Sequence, residues 1–244
     1  MKNIGFIALT VLVLTSCKST TKEYYEDAEG VLKKECQLGF FSDKISGTCT
    51  HYTKESEVFL KESYKDDVLH GKVRHFENGT ETVVENYKNG VLHGESRGVT
   101  LDGVVWLEAN YVDGKLDGKH VLRFGNGNLR VEEFYNSNGK HGVQKRYFEN
   151  GQLAHSVTYE DGCLMSVEEL FSENGNALNP GDYKDGSGYL TVYYDNGSIK
   201  ASGRIEDFKQ VGRWTVYNRK GKMKGKHNFN SEDQETCVFK FVTY

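Results

Sequence analysis

The 244-residue sequence contains a single proline, Pro180, and too little leucine and isoleucine to fill a thick globular core. Basic and acidic residues nearly balance, and the formal net charge of −4 gives no reason to expect nucleic-acid binding. What the chain does have is aromatic residues, 15 tyrosines and 13 phenylalanines, which suffice for a thin apolar stripe. Length alone would allow one or two domains, and we expect one because the repeat described below keeps its register.

Long helices are excluded by the abundance of glycine. The 27 glycines fall at roughly every ninth residue, so few stretches could hold a helix of three turns. The fold class is therefore predicted to be all-β.

A pattern of about 24 residues recurs seven times between residues 64 and 229. A tyrosine opens six of the copies, at Tyr64, Tyr87, Tyr111, Tyr135, Tyr159 and Tyr183. A second series, mostly Asn-Gly, ends at Gly79, Gly103, Gly127, Gly151, Gly175, Gly197 and Gly221. A third series consists of Gly71, Gly94, Gly118, Gly142, Ser166, Gly188 and Gly212. Periodicity of this length indicates an array of one supersecondary unit.

Each copy is predicted to be a β-hairpin. After each Asn-Gly the apolar residues occupy mostly even offsets, as Val131 and Tyr135 do, and this period of two is typical of a strand with one packed face. Asn-Gly is a strong hairpin signal, because both central residues of a type I′ turn need a positive φ. Since an isolated hairpin is marginal in water, we expect an elongated antiparallel β-meander of stacked hairpins, with the tyrosines in one continuous stripe.

These residues also carry a resemblance to a known family. The pattern Y-x-x-G-x-x-x-G, followed by an aromatic residue and Asn-Gly, resembles the MORN-repeat variant of bacterial antitoxin-like proteins, over residues 64–229. Copies five to seven depart from the pattern, because Ser166 replaces a glycine and residues 178–182 replace a regular strand end. The resemblance implies an extended hairpin sheet with protein or lipid contacts.

The N-terminus is predicted to be a targeting segment. Residues 1–16 contain a lysine followed by an apolar run too short to span a bilayer, which is typical of a signal peptide. The run ends in Leu-Thr-Ser-Cys, which resembles a bacterial lipoprotein box and implies cleavage before Cys17 and lipidation of Cys17. An ordinary secretory signal with a chance cysteine is the alternative. Residues 17–23 would then be a lipidated tether in the bacterial cell envelope, and by family analogy Lys18 favours the outer membrane.

The remaining cysteines suggest one disulfide in an oxidising compartment. Cys36 and Cys49 are predicted to pair within a degenerate repeat or cap over residues 24–63, which would stabilise the fold by about 3 kcal/mol. Cys163 and Cys237 lie far apart along the array, so we expect them not to pair with each other. Residues 230–244 alternate like a final strand and are predicted to be a C-terminal cap.

Candidate chemical sites are few. His70, His93 and His141 precede turn residues at equivalent positions, and we interpret them as polar turn residues and predict no metal or cofactor. The serines lie scattered in predicted strands, and no G-x-S-x-G elbow occurs. The sequence therefore predicts neither an enzyme nor a small-molecule substrate.

Trp106 differs from the repeat pattern. It occupies an odd offset between Val105 and Leu107, so it is expected on the face opposite the tyrosines. There it could pack against neighbours or anchor a protein partner. An aromatic strip along one face could also include Phe124, Tyr147, Phe148, Tyr193 and Tyr194.

These patterns favour a non-catalytic, envelope-anchored repeat scaffold that binds a protein partner through its β-sheet face. The predicted ladder or binding residues are Tyr87, Tyr111, Tyr135, Tyr159 and Trp106. Two alternatives remain open. One is an immunity or antitoxin-like lipoprotein that neutralises a toxin, and the other is a cell-envelope carbohydrate-binding protein whose aromatic residues stack on sugars.

Overall fold

A computed structural model describes residues 21–25, 32–39, 43–230, 232 and 235–237. These residues form antiparallel strands in chain order, which confirms the all-β hairpin meander. They divide into two compact units, the first ending at Leu101 and the second beginning at Asp102. This division lies inside the predicted array, whose outer boundaries stay a prediction.

The first unit contains eight strands. They are β1 (Thr21–Tyr25), β2 (Leu32–Leu38), β3 (Ile45–Tyr52), β4 (Val58–Lys65), β5 (Val68–Glu77), β6 (Thr80–Lys88), β7 (Val91–Leu92) and β8 (Gly94–Val99). Each strand from β1 to β5 pairs with the next one, and β6 pairs with both β7 and β8.

The second unit contains twelve strands in two sheets. The first sheet includes β9 (Val105–Val112), β10 (Lys115–Leu116), β11 (Gly118–Arg123), β12 (Leu129–Asn136), β13 (Gly139–Lys140), β14 (Gly142–Tyr147), β15 (Leu153–Glu160) and β16 (Cys163–Leu170). The second sheet consists of β17 (Gly188–Tyr193), β18 (Ile199–Glu206), β19 (Lys209–Tyr217) and β20 (Met223–Phe229). No regular strand lies between Leu170 and Gly188, where only isolated bridges occur.

Four of the six repeat tyrosines lie opposite a glycine of the neighbouring strand. The pairs are Gly47–Tyr64, Gly71–Tyr87, Gly118–Tyr135 and Gly142–Tyr159. All four glycines have a positive φ, 132° at Gly47, 104° at Gly71, 88° at Gly118 and 80° at Gly142, which glycine adopts without the strain that a side chain would add. Three glycines of the third series, Gly71, Gly118 and Gly142, therefore form a cross-strand contact with a repeat tyrosine.

The Asn-Gly turns are only partly of the predicted type. Asn78 and Gly79 both have positive φ, 51° and 76°, as a type I′ turn requires. At Asn126-Gly127 only the glycine has a positive φ, 87°, so the type I′ prediction is wrong there. The reason is loop length, because the Phe124 N–H donates to the Asn128 carbonyl and encloses three residues instead of two.

Asparagine serves a different purpose in these longer turns. The side-chain amide of Asn126 donates to the Glu149 carbonyl over 3.0 Å, in the turn of the next copy. Asn196 donates in the same way to the Arg219 carbonyl over 3.1 Å. These bonds link turns of successive copies, so the asparagines stabilise the stacking of the array.

The hydrophobic core of the second unit lies where its two sheets come together. It consists of Val157, Leu164, Tyr183, Leu190, Val192, Ala201, Ile205 and Trp214. Trp214 is fully buried, and its ring lies so close to Gly203 that a β-carbon there would be 2.4 Å from it. Copies five to seven, which depart from the repeat pattern, thus contribute to a compact core. The sequence pattern predicted only a thin apolar stripe and did not predict this core.

The described residues contain two disulfides. Cys36 and Cys49 face each other across β2 and β3, with Cα atoms 4.0 Å apart. Cys163 and Cys237 also form a disulfide, so the expectation that they do not pair with each other is wrong. Separation along the chain was misleading, because Cys237 lies beside the stacked turns, where its N–H donates to the Phe208 carbonyl over 3.0 Å.

Several sequence predictions lie outside the described residues. These are the signal peptide, the lipidation site Cys17 and most of the C-terminal cap strand. Among the residues that are described, none belongs to a helix with the length and apolar character needed to span a bilayer.

Candidate functional site

Three repeat tyrosines donate hydrogen bonds to a glutamate two residues earlier on the same strand. The pairs are Tyr64 to Glu62 at 3.1 Å, Tyr87 to Glu85 at 3.2 Å and Tyr135 to Glu133 at 3.1 Å. Residues two apart share one face of a strand, so in each of these three strands the tyrosine and its glutamate lie on the same face.

These tyrosines are kept protonated. Burial, then the charge and hydrogen bond of Glu62, raise the pKa of Tyr64 to about 12. Burial and the charge of Glu133 raise the pKa of Tyr159, also to about 12. At neutral pH the hydroxyls are therefore hydrogen-bond donors and not phenolate nucleophiles.

Glu133 is the centre of the most buried polar network on this face. It is 6% exposed and accepts hydrogen bonds from Tyr135, His120 and Gln144, while the Lys140 ammonium lies 3.1 Å away. Burial alone would raise the pKa of Glu133, but these hydrogen bonds and the charge of Lys140 lower it to about 2. The ionised carboxylate is thus hydrogen-bonded and ion-paired within its own chain, which indicates a structural role.

A cleft of about 230 Å³ opens in the second unit, where the ends of β14, β15 and β16 meet the end of β17. Its lining residues are Arg146, Tyr147, Phe148, Ala154, His155, Leu170, Phe171, Val192, Tyr193, Tyr194 and Asp195. The cleft exists because the strand pairing is interrupted between β16 and β17, so that two sheets with aromatic strand ends face one space.

The floor of the cleft is buried and its walls are half-exposed aromatic rings. His155, Leu170 and Val192 are buried, at 6%, 8% and 2% exposure. The Tyr193 hydroxyl donates to the Asn179 carbonyl over 2.8 Å, and the Tyr194 hydroxyl donates to the Tyr217 carbonyl over 3.0 Å. These bonds fix two wall rings in place before any ligand arrives.

Charged groups lie at the edge of the cleft. Asp195 forms an ion pair with Arg219 at 3.3 Å, and the Arg219 guanidinium lies 5.0 Å from the centre of the Tyr194 ring. Burial, then the charges of Arg146 and Lys140, lower the pKa of His155 to about 3, so His155 is neutral at physiological pH.

A second, wider cleft of about 580 Å³ lies in the first unit. It is lined by Lys72, Arg74, Glu81, Val84, Asn86, His93, Gly94, Glu95 and Arg97. Its charges are of both signs, and Arg74 pairs with Glu81 at 3.6 Å. It lacks an aromatic wall, so it offers less of the chemistry typical of a specific binding site.

The predicted aromatic strip is only partly assembled. Tyr147, Phe148, Tyr193 and Tyr194 line one cleft, although they come from strand ends nearly 50 residues apart. Trp106 and Phe124 are not among the lining residues. Trp106 is 38% exposed on β9, whereas the Phe124 ring is covered by the Arg130 guanidinium at 5.8 Å.

The predicted ladder residues Tyr87, Tyr111, Tyr135 and Tyr159 are half-buried on the sheet and do not line the cleft. Sequence reasoning missed Arg146, His155 and Phe171 as cleft residues. The signal available was that His155 takes an even, inward offset where four other copies have Val83, Leu107, Val131 and Ala201. Within the described residues no group of three or more histidine, cysteine or acidic side chains could hold a metal ion.

Comparison with known families supports the repeat assignment for one copy. Residues 140–161 match the family model described as MORN repeat variant. The matched segment covers the β14–β15 hairpin and includes the cleft residues Arg146, Tyr147, Phe148, Ala154 and His155. No curated protein matches the chain.

Proposed function

We propose that this chain is a non-catalytic repeat scaffold that binds a protein partner through the aromatic cleft of its second unit, and that lipidated Cys17 holds it in the bacterial cell envelope. The observation that carries the proposal is the gathering of five aromatic residues around one buried floor. They are Tyr147, Phe148, Phe171, Tyr193 and Tyr194.

The size of the cleft favours a protein partner over a free small molecule. Pockets for small ligands usually enclose about 300–1,000 Å³. At about 230 Å³ the cleft is large enough for one or two side chains of a partner. Tyrosine and arginine are the residues most often found at the energetic centre of protein interfaces, and both line the cleft.

The test compares capture of proteins by the wild type and two variants. Tyr147→Ala removes a wall ring, and Trp106→Ala is the matched control because it removes an exposed ring outside the cleft. Tagged protein is purified from solubilised envelopes and the bound proteins are quantified by mass spectrometry. We expect one partner that Trp106→Ala retains and Tyr147→Ala loses, and at least ~10-fold weaker binding of that purified partner to Tyr147→Ala.

If both variants recover the same amount of the partner, the cleft is not part of the binding interface. The immunity or antitoxin-like alternative differs only in the identity of this partner, so a captured toxin would select it. The carbohydrate alternative uses the same rings, and capture of peptidoglycan fragments by the wild type but not by Tyr147→Ala would favour it instead.

A further inference from the structure

Two charged residues line the cleft, Arg146 and Asp195, and the charge of Arg146 indicates which kind of ligand the cleft binds. It lies on β14, where the sheet register places it between Val131 of β12 and His155 of β15. It therefore shares its face with the buried His155, and it lines the cleft. Its side chain is half-buried.

Among the described residues the Arg146 guanidinium has no hydrogen-bond or ion-pair partner. Two acidic residues are engaged with other partners: Asp195, which lines the cleft, pairs with Arg219, and Glu133 on β12 pairs with Lys140 and His120. His155 cannot serve as a counter-ion, because burial, then the charges of Arg146 and Lys140, lower its pKa and keep it neutral.

Other arginines in the described part of the chain do not share this combination of burial and missing partner. Four of them form ion pairs, Arg74 with Glu81, Arg123 with Glu108, Arg204 with Glu206 and Arg219 with Asp195. Arg130 covers the Phe124 ring, and the remaining two, Arg97 and Arg213, are exposed to water. A half-buried guanidinium without a carboxylate is costly, and a site that binds an anion is a physical reason to keep one.

We infer that the cleft takes an acidic peptide segment, whose carboxylate pairs with Arg146 while a neighbouring aromatic or aliphatic side chain packs against Tyr147 and Tyr194. This inference rests on the proposed function and names the chemistry of the partner. The planar guanidinium can form two parallel hydrogen bonds with a carboxylate. The two rings line the same cleft and supply the apolar contact.

The first test uses two small probes that differ only in charge. N-acetyl-L-phenylalanine carries a carboxylate and an aromatic ring, and N-acetyl-L-phenylalaninamide carries the same ring without the charge. Binding to the full chain is measured from NMR chemical-shift changes of the cleft residues. We expect the acid to bind at least ~10-fold more tightly than the amide. Equal affinities would overturn the inference, and so would tighter binding of the neutral sugar chitotriose in the same cleft.

Two variants of Arg146 test whether this residue causes the preference for the acid. Arg146→Gln should abolish the preference for the acid. Arg146→Lys should keep part of this preference, because the ammonium retains the positive charge but cannot form two parallel hydrogen bonds with a carboxylate. Lys145→Gln is the matched control, because it removes one positive charge from the adjacent residue, whose side chain lies on the opposite face. A preference that survives Arg146→Gln, or that Lys145→Gln abolishes, would contradict the assignment of Arg146.

The stability of Arg146→Gln provides an independent readout. Because Arg146 has no partner among the described residues, the substitution should leave the melting temperature unchanged or raise it, and a marked decrease would show that Arg146 is structural. The inference of an acidic ligand can also fail while the proposed function holds. If Tyr147→Ala loses the captured partner but Arg146→Gln does not, the cleft binds a protein by apolar contacts only, and the proposed function stands.

Discussion

Gly142 of β14 faces Tyr159 of β15 across the strand pair, in the same copy that matches the MORN repeat variant. Gly142 adopts a φ of +80°, and a β-carbon built there would meet nothing within 4 Å. The glycine is therefore required by its backbone conformation and not by lack of space. The same pairing recurs along the array and connects the repeat pattern of the sequence to the packing of the sheet.

Substituting three glycines should separate backbone strain from steric conflict. Gly142→Ala should lower the free energy of unfolding by about 1–2 kcal/mol, because alanine disfavours positive φ. Gly203→Ala should cost about 3 kcal/mol, because the new β-carbon would overlap the buried Trp214 ring. Gly225→Ala is the control, since it has neither positive φ nor a close neighbour, and should be neutral or slightly stabilising. Urea denaturation measures all three, and equal costs would contradict these assignments.

Acid should destabilise the protein through Glu133. Its folded-state pKa of about 2 lies below its ordinary value of 4.5, so its stabilisation is present above pH 4.5 and is lost as the pH falls toward 2. The shift corresponds to about 3 kcal/mol. Glu133→Gln should lack this part of the pH dependence of unfolding. Glu132→Gln, on the opposite face, should retain it, and identical profiles of Glu133→Gln and wild type would contradict the network.

The disulfide between Cys163 and Cys237 should be the more stabilising of the two. Its sequence separation is 74 residues, compared with 13 for Cys36 and Cys49. On the chain-entropy model it contributes about 4.5 kcal/mol and the shorter loop about 3 kcal/mol. Cys163→Ser and Cys237→Ser should therefore destabilise equally, and the double variant no further. Peptide mapping without reductant checks the pairing, and free thiols at both positions would refute it.

Much of the fold could be predicted from sequence, because hairpins are local. The tyrosine, glycine and Asn-Gly series specify strands and turns within 24 residues, and the structure places Tyr159 and Gly142 as that spacing requires. The turn type at Asn126 was not predictable from Asn-Gly alone. It depends on loop length, because the Phe124 N–H donates to the Asn128 carbonyl and the loop encloses three residues.

The candidate site was less accessible, because it is formed by distant parts of the chain. Arg146 and Tyr194 come together only where β16 and β17 fail to pair, and no local pattern states how two sheets meet. The same limit explains the error over Cys163 and Cys237, whose contact depends on the path of the chain after β20. Copies that break the repeat pattern, around Pro180, were the available signal that packing changes there.

Anchoring to the envelope is tested at Cys17. Cys17→Ala should move the protein from the membrane fraction to the soluble fraction, because acyl chains supply about 0.8 kcal/mol of membrane affinity per buried CH₂. Ser16→Ala, which keeps the cysteine, should remain in the membrane fraction. Continued membrane association of Cys17→Ala would exclude the lipoprotein hypothesis.

The most direct test of the binding cleft is site-specific photo-crosslinking in living cells. The photoreactive residue p-benzoylphenylalanine is placed at Phe148, which lines the cleft, or at Trp106, which lies outside it. We predict that irradiation gives one discrete covalent adduct with a second protein from position 148 and none from position 106. The absence of an adduct at 148, or the same adduct at both positions, would contradict a protein-binding cleft.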